Sequence, residues 1–210
     1  MLANRHLSRA ALVAPLLLLA LHGSARANSH LWRISEVYSS PDRSIQFIEM
    51  EEYGGSDIEV GMATRWFATN TYNLDHSDLL GTNLPFGTAF KKFLVGSESY
   101  DALIGVPAPD YVLPDGFMDP NGDTILWWFY QKFTYGAGVM PADGVNSLNL
   151  SYPVPLDPVL SVGQNSPTNY IGDFGSVVLP ASVPAMPTYG LTLLALALVA
   201  AALRPLAALS

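Results

Sequence analysis

From His30 onward, short runs of β-branched and aromatic residues are broken about every ten residues by Gly, Pro, Asn, Asp or Ser, which is the spacing of an all-β sandwich or barrel. No stretch of this region carries the periodicity of a long amphipathic helix. The apolar runs predict strands at 31–38, 44–51, 59–68, 89–95, 111–113, 123–131, 133–135 and 170–179. Between the first two, Ser39-Ser40-Pro41-Asp42-Arg43 is turn chemistry, since Pro presets φ and Asp offers a side-chain acceptor to the backbone. An antiparallel hairpin is expected there. Residues 141–169 are rich in Asn, Ser, Pro and Gly, with few large apolar residues outside Val145, Leu148 and 156–162. They read as a long wrapping loop or a linker.

Both ends break the pattern. Arg5 and Arg9 precede an apolar run over 10–21, and Ala25-Arg26-Ala27 follows as a small-x-small step. Residues 1–27 therefore read as a cleavable signal peptide, with Ala25 and Ala27 marking the cleavage site and Asn28 the mature start. An uncleaved anchor is the competing reading, but an apolar run of about 12 residues falls short of the roughly 20 that span hydrocarbon. At the other end, a Pro-rich linker at 181–187 leads into 188–210, where the uncharged run 191–203 is closed by Arg204. Arg204 fits the cytoplasmic side of a membrane. Pro187-Thr188-Tyr189-Gly190, the Leu/Ala run and Arg204 resemble bacterial C-terminal sorting signals of the IPTL-CTERM and PEP-CTERM classes. That resemblance, over 183–204, implies handling by a membrane-embedded processing peptidase and then release or transfer to the cell surface. A simple tail anchor is the alternative.

Setting the ends aside leaves roughly 150 residues at 28–180, the size of one domain with one core. It keeps six of the ten basic residues and all eighteen acidic ones, a formal charge of −12. Binding to phosphate backbones needs a clustered basic footprint, so nucleic acid is not an expected partner. The absence of cysteine excludes disulfides, a thiolate nucleophile and cysteine-ligated metals.

Four groups of residues invite a chemical reading. Asp119, Asn121 and Asp123 place oxygen ligands at alternate positions, as a calcium loop begins. Asn121-Gly122 is also a type I′ turn signal, and no other cofactor is suggested. The run Ile125 to Tyr130 is the densest in aromatics, and strand alternation puts Trp127 and Phe129 on one face, Trp128 and Tyr130 on the other. Trp128 and Tyr130 form a ligand platform for sugars, or lie covered beneath the loop from Pro141. Glu49, Glu51 and Glu52 offer paired carboxylates of the glycosidase kind, or a solvated strand edge that discourages aggregation. His30 and His76 lack both a nucleophile-elbow serine and a partner at metal-ligand spacing.

Trp32-Arg33-Ile34-Ser35-Glu36-Val37-Tyr38 followed by Gln46-Phe47-Ile48-Glu49-Met50 is similar to the opening of lamin-tail-type domains. Gly122-Asp123-Thr124-Ile125 resembles a hairpin strand of that family, and Ser166-Pro167-Thr168-Asn169 its closing element. The resemblance implies an immunoglobulin-like β-sandwich that serves in bacteria as a surface or secreted interaction module, without catalysis. The resulting expectation is an exported, envelope-associated or released binding module whose partners are the membrane, a processing peptidase, and a polysaccharide or surface protein. A secreted hydrolase, calcium-supported, and a structural matrix component are the alternatives.

Overall fold

The computed structural model describes residues 29–72, 78–154 and 157–179. The signal peptide with Ala25 and Ala27, the linker, and the sorting segment with Pro187, Thr188, Tyr189, Gly190 and Arg204 lie outside the described residues, as does His76. Among the described residues no helix is long and apolar enough to cross a membrane.

The described residues are mostly β-sheet with little helix, and form two sheets, as an all-β sandwich does. In chain order the elements are β1 (Trp32–Ser39), β2 (Gln46–Glu52), β3 (Trp66–Thr69), β4 (Asp78–Leu79), β5 (Lys92–Ser97), α1 (Glu98–Asp101), β6 (Tyr111–Leu113), β7 (Asp123–Trp127), β8 (Gln131–Tyr135), β9 (Asn146–Val154) and β10 (Asp157–Gln164). One sheet runs β10-β9-β1-β2-β5-β6, the other β4-β3-β7-β8. All neighbours are antiparallel except β5 and β6.

The expected β1–β2 hairpin forms, with Ser39 opposite Gln46. Asp42 Oδ1 accepts from Ser40 Oγ, Ser44 N and Ser44 Oγ at 2.5, 3.2 and 2.9 Å, so the short acid braces the turn as its sequence implies. A bulge after Ile34 inserts Ser35. Because of it, Ile34 and Val37, three residues apart, are both buried in the core shared by the sheets. Ile48, Met50, Phe93 and Val95 join them from the larger sheet, Phe67, Ile125, Trp127, Phe133 and Tyr135 from the smaller one. The Phe93 ring lies 4.7 Å from Trp32 in its own sheet and 6.0 Å from Trp127 across the interface.

The other face of the large sheet is covered too. Tyr38 and Phe47 stack at 5.2 Å, and Tyr100 of α1 meets Phe47 edge-on at 5.7 Å. A Cβ on Gly96 would stand 2.6 Å from Tyr100 Cδ1, so only glycine lets α1 lie this close to β5. The rest of the cover is the segment after β10. Ser166 N and Oγ donate to Glu36 at 2.8 and 3.0 Å, Thr168 N to Glu49 at 2.9 Å, and Tyr170 N to Asp110 at 2.9 Å.

Three expectations need correction. The loop-rich stretch 141–169 contains the longest strand, β9, and its partner β10, paired from Asn146 with Gln164 to Val154 with Asp157. The expected strand at 170–179 is irregular backbone tied to the sheet by side-chain acceptors, with a single bridge from Thr168 to Phe174. Gly172 turns it with φ +94°. Of 59–68, only the end from Trp66 is strand.

Candidate functional site

β7 stops at Trp127 instead of running to residue 131, because Trp128 adopts a left-handed φ of +48°. Tyr130 N then donates to Trp127 O at 3.0 Å and Trp128 N to Trp66 O at 3.1 Å, closing a tight turn into β8. Strand alternation therefore fails after Trp127. Trp127 is fully buried, while Phe129, expected on the same face, is 81% exposed. A bulky side chain at positive φ is strained, and such strain concentrates at functional positions.

The turn gathers aromatic rings at the surface. Trp128 lies 5.5 Å from Trp66 and 4.9 Å from Phe129, which is itself 5.7 Å from Trp66. Arg65 spreads over Trp128 at 4.8 Å and Tyr130 at 5.8 Å. Its Nε donates to Ser29 Oγ at 2.5 Å and its Nη1 to Thr64 Oγ1 at 2.9 Å. Trp128 and Tyr130 are half-buried, their inner edges resting on the core.

Tyr130 also forms one wall of a cavity of about 450 Å³, with His30, Arg33, Tyr53, Gln131 and Tyr152 around it. Its framework is a hydrogen-bond relay. Gln131 Oε1 accepts from Ile34 N at 2.8 Å, Gln131 Nε2 donates to Tyr152 Oη at 2.6 Å, and Tyr152 Oη donates to Ile34 O at 2.7 Å. The relay ties the first residue of β8 to the bulge of β1 and the far end of β9. Burial pushes the Tyr152 hydroxyl up to about 12, so it stays protonated and holds this donor role. Arg33 lies between the Tyr53 and Tyr152 rings, 4.8 and 4.4 Å from their centroids. Its Nε donates to Glu51 Oε1 at 2.7 Å. His30 stands 3.5 Å from Glu59, whose carboxylate also accepts from Leu31 N at 3.2 Å.

The calcium candidates lie elsewhere. Asp119 Oδ1 accepts from Asn121 N and Nδ2 at 2.9 and 3.1 Å, and Arg43 is 3.6 Å from its other oxygen. The Asn121 amide beside Asp119 holds its carboxyl below the usual range, with Arg43 adding to the effect. Asp123 accepts from Asn70 N, Thr124 N and Asp119 N. These oxygens serve the backbone of the bend before β7. Among the described residues no group of three or more His, Asp or Glu is arranged to hold a metal ion. The bend closes from Asp119 O to Gly122 N with Pro120 and Asn121 between, neither at positive φ, so it is not the type I′ turn expected.

The glutamates of β2 are not on a solvated edge, because β2 is central in its sheet. Glu49 is buried and takes Ser35 Oγ at 2.7 Å and Lys92 Nζ at 2.6 Å. Glu52 is buried and accepts from the amides of Gly54, Gly55, Ser56 and Phe90. Glu51 alone reaches the cavity, through Arg33.

Sequence reasoning found Trp128 and Tyr130 but not Arg33, Tyr53, Gln131 or Tyr152. Tyr152 sits in the stretch read as a loop, and Arg33 and Tyr53 meet it only through sheet pairing. No protein-family model matches the chain, and comparison with curated proteins and with solved structures finds no match either.

Proposed function

We propose that the chain is an exported, envelope-associated or surface-released interaction module, non-enzymatic, that binds a surface component, foremost a polysaccharide, in the cleft beside the β7–β8 turn. The observation that carries this reading is the aromatic-walled cavity bounded by Tyr53, Tyr130 and Tyr152, with Trp128 and the exposed Phe129 in the same turn as Tyr130. Tyrosine and tryptophan rings present flat apolar faces with polar edges, the surface a pyranose ring stacks on. The carboxylates bordering the cleft are engaged internally, Glu51 with Arg33 and Glu59 with Leu31 N, which supports binding over the hydrolase alternative. The signal-like and sorting-like ends support export, membrane contact and peptidase processing.

The lamin-tail-like, immunoglobulin-like reading draws support from one meeting of residues. Glu36 and Glu49, from the two opening motifs, accept from the closing motif, Glu36 from Ser166 N and Oγ and Glu49 from Thr168 N.

The test is retention of the purified protein on immobilised polysaccharides. Trp128→Ala and Tyr130→Ala are each expected to weaken retention by about tenfold or more, a loss of 1.4 kcal/mol per decade, with the fold intact by circular dichroism. Retention by both variants equal to the parent would remove the cleft as the binding site.

A further inference from the structure

The cavity is lined in part by a guanidinium, that of Arg33. Resting on the reading of the cleft as a glycan site, we infer that it selects carboxylate-bearing sugars, uronate units of an acidic polysaccharide, through the open fork of Arg33. Arg33 is held by three neighbours: its guanidinium lies against the Tyr53 and Tyr152 rings, and Glu51 takes the Nε edge. Nη1 and Nη2 have no hydrogen-bond partner among the described residues, and the side chain is 26% exposed where it lines the cavity. Four N–H bonds of a residue that lines the cavity are therefore left for a ligand. A planar fork with its rotamer already locked matches the two oxygens of a carboxylate, and binding loses little side-chain entropy.

A second cation strengthens the case. Glu51 balances the charge of Arg33, but Arg65 has no carboxylate within 4.0 Å among the described residues and lies over Trp128 and Tyr130. In a domain of formal charge −12, this leaves a local cation beside the stacking rings. A uronate unit satisfies both features at once: its ring lies on tyrosine while its carboxylate takes the fork. A neutral sugar leaves the fork unpaired, and a peptide carboxylate leaves the ring walls unused.

The experiment is calorimetric titration of the full chain with galacturonate oligomers, their methyl esters, and neutral cello-oligosaccharides. The acid is expected to bind at least about tenfold more tightly than the ester, as a charge-assisted bidentate pair requires. Arg33→Lys keeps the charge but loses the fork, and should bring acid and ester within about threefold of each other. Equal affinity of acid and ester for the parent protein would overturn the inference without recourse to any variant. If neutral and esterified oligomers bind in a Tyr130-dependent way with no advantage for the acid, the glycan reading survives and the uronate inference falls. If no oligomer binds, both fall.

Discussion

Trp32 and Trp127 are both fully buried in the core, yet only one indole N–H has an acceptor. Trp32 Nε1 donates to Glu59 O at 2.8 Å, whereas Trp127 Nε1 has no partner among the described residues. Replacing Trp32 by Phe removes a bond and orphans a carbonyl, while the same change at Trp127 removes a donor that was already unmatched. Urea unfolding should find Trp32→Phe less stable than Trp127→Phe by about 1 kcal/mol. An equal or reversed ranking would mean that packing, not hydrogen bonding, separates the two sites. At this scale the sequence was informative about burial and silent about partners. Alternation marked Trp127 for the core, but nothing in it announced that Trp128 takes a left-handed conformation and throws Phe129 outward. The density of the aromatic run singled out Trp128 and Tyr130 with a ligand platform and a covered position both open, and the structure leaves them half-buried, while Arg33 was hidden because its role depends on two tyrosines remote in sequence.

Among the elements, the segment after β10 shows how a stretch without regular structure is fixed. Asn165 Nδ2 donates to Val145 O at 2.7 Å and Val177 O at 3.0 Å, and Asn165 Oδ1 accepts from Val177 N at 2.5 Å. Asn165→Ala should cost about 2 kcal/mol, since it leaves the N–H and C=O of the buried Val177 unpaired, while Val145 O keeps the Asn165 amide. Glu49, beneath the same segment, has its carboxyl pushed up by burial and by nearby Glu36, against the pull of Lys92 and Ser35. Between the ordinary glutamate value and this raised one, the native state holds a proton that the unfolded chain has released. Its contribution to stability is therefore present at the acid end of that window and is lost as pH rises through it. Asp110, raised by burial, acts in the same sense, while Asp42, Asp119 and Asp143, all lowered, lose their contributions only at more acid pH. The melting temperature of Glu49→Gln should thus fall less steeply than that of the parent as pH rises above the ordinary glutamate value. Parallel curves would show that Glu49 does not titrate there. The hairpin of β9 and β10 escaped the sequence reading although Leu148, Leu150 and Tyr152 alternate with Ser147, Asn149 and Ser151. Asn, Ser and Pro around it signal loops, and β10 is largely exposed, so its own pattern carries no buried face.

For the molecule as a whole, the two-sheet architecture was readable because it rests on local punctuation and period-two runs, whereas its closure was not, because it rests on distant pairs. Ser166 and Glu36 lie 130 residues apart, and Thr168 and Glu49 lie 119 apart. Three carboxylates, the buried Glu36 and Glu49 and the half-buried Asp110, receive N–H donors from Ser166, Thr168 and Tyr170 respectively. Removing the donors would strand these acids under a face that Tyr38, Phe47 and Leu94 also need covered. A chain ending at Gln164 should therefore fail to fold cooperatively, whereas one ending at Leu179 keeps every bond among the described residues and should melt with the parent. Circular dichroism melts of the two truncations decide this, and a cooperative transition in the shorter one would show that the sheets alone suffice. Such dependence on its last segment suits a protein proposed for export. The donors that complete the cover come from Ser166, Thr168 and Tyr170, so the full set of closing bonds forms only after most of the domain has been synthesised.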